Sequence, residues 1–302
     1  MWFIPAIITV LAWGTADLFY KKGNDPKESH SALRTVIMVG LVMGLHAILY
    51  MMVYQGVKFD WLNLVKYLPV SFMYILSMAI GYKGLRYIEL SVSSPISNSS
   101  GAVSALLTFL FLGGSMTKMQ FLAVALISIG IFLLSIFEKQ EADAELAAEG
   151  TVVDKKYRKS AMAIIFPILY CLIDGMGTFL DGYYLETKQF MSEDQALISY
   201  EMTFLFVGLA CWAYLKFVKG ESIVFPKEKN RLLAASFETL GQFFYVGAIA
   251  SNAIVVAPLI SSYSIISVLW SRLFLKEKLS VKQYLVIAMI MVAIAILGFY
   301  DG

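Results

Sequence analysis

The sequence predicts an all-α polytopic membrane protein with ten transmembrane helices in a 5+5 inverted-topology repeat. Three observations predict it. Apolar residues make up 59% of the 302 residues and charged residues 15%, with a mean hydropathy of +0.72, whereas a water-soluble domain carries about 45–50% apolar and about 25% charged residues. The apolar residues fall in helix-length runs, not in the short alternating segments of an outer-membrane barrel. One long charged segment divides these runs into two groups that align with each other at a fixed spacing.

Runs long enough to cross a bilayer, which takes roughly 20 residues, occupy 2–20, 32–54, 67–87, 91–112, 119–137, 161–185, 195–217, 231–250, 254–275 and 281–300. The first contains Asp17 and is followed by Lys21-Lys22, not by a small-residue cleavage site, so it reads as a retained helix and not a secretory signal. The second carries Gly40-x-x-x-Gly44, a spacing that lets two helices approach closely within one chain. The third ends in Lys83, Arg86 and Glu89, which read as snorkelling residues at the interface. The fourth and ninth open on Pro95 and Pro258, tolerated in a first turn where the backbone N–H is unpaired anyway. Hydroxyl and amide residues follow: Ser97-Asn98-Ser99-Ser100 and Ser261-Ser262-Tyr263-Ser264. Asn98-Ser99-Ser100 also fits a glycosylation sequon, a chance match inside a membrane span. The fifth and tenth have no charge in their interiors and are expected to pack outside the others. Cys171 and Cys211 lie within apolar runs and read as small buried residues, not as a disulfide.

The chain is expected to divide into a first five-helix repeat (1–137), a charged linker (138–160) and a second five-helix repeat (161–302). The linker is Ala/Glu-rich, ends in Lys155, Lys156, Arg158 and Lys159, and reads as solvated and partly helical. A constant spacing of 163 residues pairs Tyr82 with Tyr245, Gly84 with Gly247, Pro95 with Pro258, Ser99 with Ser262 and Gln120 with Gln283. Between 82 and 131 it gives 15 identities in 50 positions. A repeat of five helices must re-enter from the opposite side, which is how many secondary transporters are built. Of the 24 Lys and Arg residues, all but Lys58, Lys66, Lys118 and Lys188 follow odd-numbered helices. Excess Lys and Arg marks the cytoplasmic side, so both termini are expected to face outward.

Helices nine and ten read FYVGAIASNAIVVAPLISSYSIISVLWSRLFLKEKLSVKQYLVIAMIMVAIAILG. A small residue after an aromatic, an early proline, the Leu275-Lys276-Glu277 turn and a helix rich in small residues resemble the EamA-type module of the drug/metabolite transporter superfamily. The first half repeats the module with Gly114 in place of the Glu, and Trp13-Gly14 also fits. The resemblance covers almost the whole chain. It implies two modules, ten helices and transport of a small metabolite; the superfamily's usual description puts both termini in the cytosol, opposite to the charge count.

Ionisable groups inside a span cost roughly 2.5–3.5 kcal/mol each, so each needs a reason. Asp174 lies near the middle of helix six between Cys171 and the small residues Gly175 and Gly177. Asp181 follows seven residues later on the same face. Glu238, Gln242 and Tyr245 share one face of helix eight at i, i+4, i+7. The equivalent positions of helix three are Ile75, Ala79 and Tyr82, so the charge exists in one copy only. Trp13 and Asp17 lie one turn apart; Asp17 either lines a cavity or pairs with Lys21. Tyr82, Asn98, Ser99 and Ser262 offer neutral hydrogen bonds or cement helix packing. His46 reads as a packing group, and Glu201 lies one to two turns inside helix seven.

The expected protein is an integral multi-pass protein of the cell membrane. It moves a small neutral, zwitterionic or cationic metabolite by alternating access, in a cavity lined by helices 1, 3, 4, 6, 8 and 9. Asp174 and Glu238 offer substrate charge or a proton-coupling group. A sugar uptake permease and a non-transporting membrane scaffold are the alternatives. The pattern holds no metal-ligand spacing, nucleophile elbow or phosphate loop, so no enzyme, cofactor or metal is expected. A net charge of +2 suggests no nucleic-acid partner. A monomer or weak homodimer is expected.

Overall fold

A computed structural model describes residues 2–24, 28–84, 97–113, 116–148, 165–275 and 280–299. The described residues form helices and no strand: α1 (Phe3–Gly23), α2 (Ser31–Leu45, widening to π winding over His46–Tyr54), α3 (Trp61–Gly84), α4 (Ser100–Leu112), α5 (Lys118–Ala148), α6 (Ile165–Gly182, continued over Tyr183–Thr187), α7 (Glu193–Ala213, continued over Tyr214–Val218), α8 (Lys229–Ser261), α9 (Tyr263–Leu275) and α10 (Val281–Phe299). Among the described residues six stretches are long and apolar enough to cross a membrane: Phe3–Gly23, Ser31–Tyr54, Trp61–Gly84, Ile165–Thr187, Glu193–Val218 and Phe225–Ser267. The protein is an integral multi-pass membrane protein. Its outer surface carries Leu45, Leu49, Phe109, Phe121 and Phe132, while Asp181, Glu201, Ser104 and Gln283 are buried. Lipid accepts the apolar groups, and the polar ones must find partners inside.

Phe225–Ser267 spans 43 residues, about 65 Å at 1.5 Å per residue and about twice the hydrocarbon thickness. It is not one straight rod, because α8 breaks at Asn252 (φ −163°, ψ 74°). Gln242 and Ser261 line one cavity, although a straight helix would hold them about 28 Å apart, so the chain folds back between them. The 253–261 arm and α9 are therefore two segments, not one continuous helix over 254–275. The interruption falls at Ser262 (φ −70°, ψ −1°). Pro258 corrects a second expectation: it lies past the first turn of its arm, where it deprives the Ile254 carbonyl of a backbone donor just before the helix stops. The same dihedrals recur at Ser99 (φ −72°, ψ −3°), immediately before α4. Arg86, Glu89, Pro95 and the Lys276-Glu277 turn lie outside the described residues. So does the linker from 149 onward; its first part continues α5 to Ala148.

The most extensive pairings are α1 with α8, α2 with α7, α3 with α6, α5 with α10, α4 with α8, α4 with α6, α3 with α7, α2 with α8 and α1 with α9. Once the arm of α8 after Asn252, which packs on α4, is grouped with α9, replacing every helix by the one five places away returns the same set. The α2–α7 seam is tight because it is built on glycine. A Cβ at Gly40 would stand 2.5 Å from the Phe204 carbonyl oxygen and 3.1 Å from Gly208 Cα. Gly44 meets the Leu205 side chain. The GxxxG segment thus packs within the chain. Gly56 and Gly220, both with φ near +68° (69° and 68°), end α2 and α7 in the left-handed conformation that favours glycine.

At the end of the bundle that bears most of the basic residues, an ionic cluster ties the segment before α2 to the segment before α8. Arg34 reaches Glu28 at 2.9 Å, Glu221 at 3.0 Å and Glu228 at 2.8 Å, and His30 reaches Glu221 at 2.7 Å. Arg231 pairs with Glu228 and Glu28. Hydrogen bonds from Arg34 and His30 hold the Glu221 carboxyl below its ordinary value of 4.5, so it stays charged at neutral pH. The Glu228 side chain is 2% exposed. Arg231→Ala leaves that buried carboxylate short of a partner and is expected to cost about 3 kcal/mol, read as a lowered thermal midpoint in detergent. Arg231→Lys is expected to recover part of the loss.

Candidate functional site

A cavity of about 120 Å³ lies between α1, α3, α4, α6, α7 and both arms of α8, with Tyr263 of α9 at its wall. This volume takes several waters, at roughly 10–15 Å³ each. The lining runs from residues near the basic ends of their helices (Tyr20, Tyr82, Tyr170) to residues deeper in the bundle (Tyr74, Thr178, Tyr245). Expected helices 1, 3, 4, 6, 8 and 9 all contribute; α7 adds Tyr200.

Small residues let the walls close in. Gly175 brings α6 onto α4, where a Cβ would stand 2.8 Å from Val103 Cβ and 2.9 Å from the Ser100 carbonyl oxygen. Gly177 faces Tyr74 of α3. Gly241 leaves room for the indole of Trp13, whose Nε1–H donates to the Glu238 carbonyl oxygen at 3.1 Å. The Gly101 N–H donates to Ser261 Oγ at 2.9 Å, joining α4 to the arm before α9. Trp13 packs against Tyr245 and Tyr263, with ring centroids 5.2 and 5.9 Å apart. Tyr20 and Tyr82 meet at 5.2 Å.

Three carboxylates reach this space: Asp17, Asp174 and Glu238. Ser77 Oγ donates to Asp174 at 3.2 Å. Ser267 Oγ donates to Asp17 at 2.9 Å, so Asp17 is held by α9 and faces the cavity, and it forms no ion pair with Lys21. Among the described residues no side chain hydrogen-bonds the Glu238 carboxylate, which feels the charges of Asp17 and Asp174. No Lys, Arg or His lines the cavity among the described residues. Among the described residues buried Gln242 Nε2 has no hydrogen-bond partner, whereas the Tyr20 and Tyr82 hydroxyls lie against each other. Buried polar groups are ordinarily paired, so the Gln242 amide is left for something the cavity takes in.

Of the residues singled out in the sequence, Trp13, Asp17, Tyr82, Asn98, Asp174, Glu238, Gln242 and Tyr245 line the cavity. Asp181, Ser99 and Ser262 do not. Asp181 is fully buried and accepts from Tyr67 and, at 3.4 Å, from Tyr74. Tyr74 in turn meets the Tyr245 hydroxyl at 2.6 Å. Asp181 therefore anchors two cavity tyrosines from behind. Ser262 Oγ donates to the Leu259 carbonyl at 2.6 Å, and Ser99 precedes the first turn of α4; both mark the helix breaks. Tyr74 and Tyr200 were not singled out. The repeat of Tyr67, Tyr74 and Tyr82 along one face of an apolar helix was the available signal for Tyr74, and nothing comparable marks Tyr200.

The fold and this buried polar centre define a multi-pass helical membrane protein built around a ligand-sized cavity. The sequence matches the EamA-like transporter family over residues 1–136 and 162–299, and the chain belongs to that family. No curated protein matches it. Twenty-eight chains of solved structures match. One crystal structure superposes with a TM-score of 0.71 over 98% of this chain and 96% of its own, at 10% identity. That likeness concerns the fold alone.

Proposed function

We propose that the protein is a secondary transporter that carries a small amine-bearing metabolite, cationic or zwitterionic, across the cell membrane by alternating access. The observation that carries the reading is the cavity's charge: Asp174 and Glu238 with Asp17 beside them, no base among the described lining residues, and an aromatic wall. Carboxylates crowded in a buried site repel one another, and a cation among them relieves that repulsion while the rings of Trp13, Tyr20 and Tyr82 face it. The Gln242 amide and the tyrosine hydroxyls of the wall offer hydrogen bonds to the rest of the cargo. In this reading the chain is two inverted five-helix repeats, 1–137 and 161–302, joined by 138–160. The two family matches, the fivefold-shifted pairing and the paired breaks at Ser99 and Ser262 support it. Discontinuous helices beside a central site are a recurrent device of such repeats. The basic end faces the cytoplasm, and the unit of function is a monomer or weak homodimer.

A sugar permease would use Trp13 and Tyr170 as stacking platforms beside Asn98 and Gln242. However, a neutral sugar brings no counter-charge to Asp174 and Glu238, and Trp270 points elsewhere, donating to Thr15 at 2.9 Å. A scaffold would fill its centre with side chains; the cavity at Asp174 and Glu238 favours transport.

A thermal-shift screen of purified protein tests the reading. Amines are expected to raise the midpoint, since a ligand at 100 times its Kd stabilises by about 2.7 kcal/mol. Neutral sugars and anions are expected to leave it unchanged. Asp174→Asn should reduce the shift given by amines more than any shift given by neutral compounds. Stabilisation by sugars alone would replace the amine reading with the permease one.

A further inference from the structure

Outside the cavity, the α2–α7 seam holds a second polar pair that the transport reading leaves unexplained. His46 Nδ1 stands 2.8 Å from both carboxylate oxygens of Glu201. Glu201 is fully buried, and the His46 side chain is 20% exposed. The pair lies within the membrane: Glu201 is eight residues, about 12 Å, from the start of α7, and His46 begins the π-wound end of α2. Further along, the α2–α7 seam is apolar: Ile37, Met38 and Leu215 form a buried cluster packed against Cys211 and Trp212. Stability does not account for the pair either, because apolar residues of similar size often replace a buried ion pair without loss.

The neighbourhood is chemically sparse. Tyr50, one turn on along α2, stacks on the imidazole at 5.1 Å, and Phe243 of α8 meets it edge-on at 5.7 Å. Tyr200 precedes Glu201 on α7 and is the other titratable group near the carboxylate. Among the described residues no further charged side chain forms an ion pair with either member. The pair is nevertheless one position from the cavity on two helices, because Tyr200 and Gln242 line the cavity while Glu201 and Phe243 face the pair.

We infer that His46 and Glu201 form a proton-binding site separate from the cargo cavity, and that this site, not the cavity acids, couples transport to a proton gradient. With one exchangeable proton the pair is neutral overall, whether that proton sits on nitrogen or on oxygen. Releasing it to water breaks the N–H or O–H bond and leaves a carboxylate beside a neutral imidazole, with net charge −1. Uptake from water on the opposite side reverses this, and no electron moves. A lone buried carboxylate is costly in the bilayer, so release requires a conformation in which water reaches the seam. The tight crossing at Gly40 and the π winding from His46 bracket the pair on α2, so a shift of the seam alters its surroundings. This coupling role rests on the transport reading; the proton site itself does not.

Two measurements on the full-length protein separate the two. Infrared difference spectra between about pH 5 and pH 9, the range that brackets an ordinary histidine, should show a carboxyl band that vanishes in Glu201→Gln, shifts in His46→Gln and persists in Glu238→Gln. In proteoliposomes, tetramethylammonium counterflow should survive in the double variant His46→Leu/Glu201→Met, which replaces the pair with apolar side chains of similar size. Its stimulation by an imposed pH gradient should be lost. Absence of a Glu201-dependent band overturns the inference whatever the cargo does. Undiminished gradient stimulation in the double variant overturns the coupling role. Loss of counterflow in the folded double variant makes the pair a support of the cavity and also overturns it. A parent protein with the infrared band but no counterflow of tetramethylammonium or of any amine retains the proton site and rejects the transport reading instead.

Discussion

Glu238→Gln is expected to raise the Kd for an amine cargo by about 30-fold or more while leaving the empty protein as stable as the parent or slightly more stable. The two halves of this expectation have opposite physical origins. Removing one member of a desolvated charge pair costs about 2–5 kcal/mol of binding, and each 1.4 kcal/mol is tenfold in Kd. In the empty cavity the Glu238 carboxylate has no side-chain hydrogen-bond partner among the described residues and faces the charges of Asp17 and Asp174. Glutamine keeps the shape and removes that repulsion. Calorimetric titration of an amine identified by the thermal screen, together with the ligand-free melting midpoint, reads both halves. A packing role for Glu238 predicts the reverse pattern, with a lowered midpoint and an unchanged Kd.

Gly40→Val is expected to be strongly damaging, costing about 3 kcal/mol or more and lowering the yield of monodisperse protein. The obstacle is backbone: the Phe204 carbonyl oxygen lies 2.5 Å from where the new Cβ must go. Relief requires α2 and α7 to separate, which loosens the packing along their seam; overpacking of this kind commonly costs 1–3 kcal/mol even where side chains can yield. Gly44→Ala provides the contrast. Its nearest neighbours are the Cδ atoms of Leu205 at 2.7 Å, which can rotate away, so its midpoint should fall much less. Equal losses at the two positions would mean that the crossing is not set by backbone contact.

The parts of this molecule that obey a periodicity were legible in the sequence. Helix-length apolar runs announced the crossings, and the single copy of Glu238 opposite Ile75 pointed to the wall of the cavity. What escaped was decided by contacts between distant segments. Nothing local distinguishes a proline that opens a helix from one that precedes a break, so Pro258 was placed too early and the interruption at Ser262 was missed. Asp17 has a lysine four residues on, but its partner is Ser267, 250 positions away. Asp181 has the spacing of a cavity acid, yet Tyr67 and Tyr74 enclose it. His46 looked like a lone packing histidine because Glu201, which completes the pair, lies 155 residues further along. Tyr200 lines the cavity from a helix whose hydropathy shows no stripe.

Movement of cargo, as distinct from its binding, is the central claim. Counterflow tests it most directly: proteoliposomes loaded with an unlabelled amine that stabilises the protein, diluted into a trace of the same amine carrying a label. Alternating access predicts transient accumulation of label above equilibrium in vesicles containing the parent protein, and little or none in vesicles containing Glu238→Gln. Tight binding of the amine without accumulation in either would show that the cavity holds its ligand and does not pass it across the membrane.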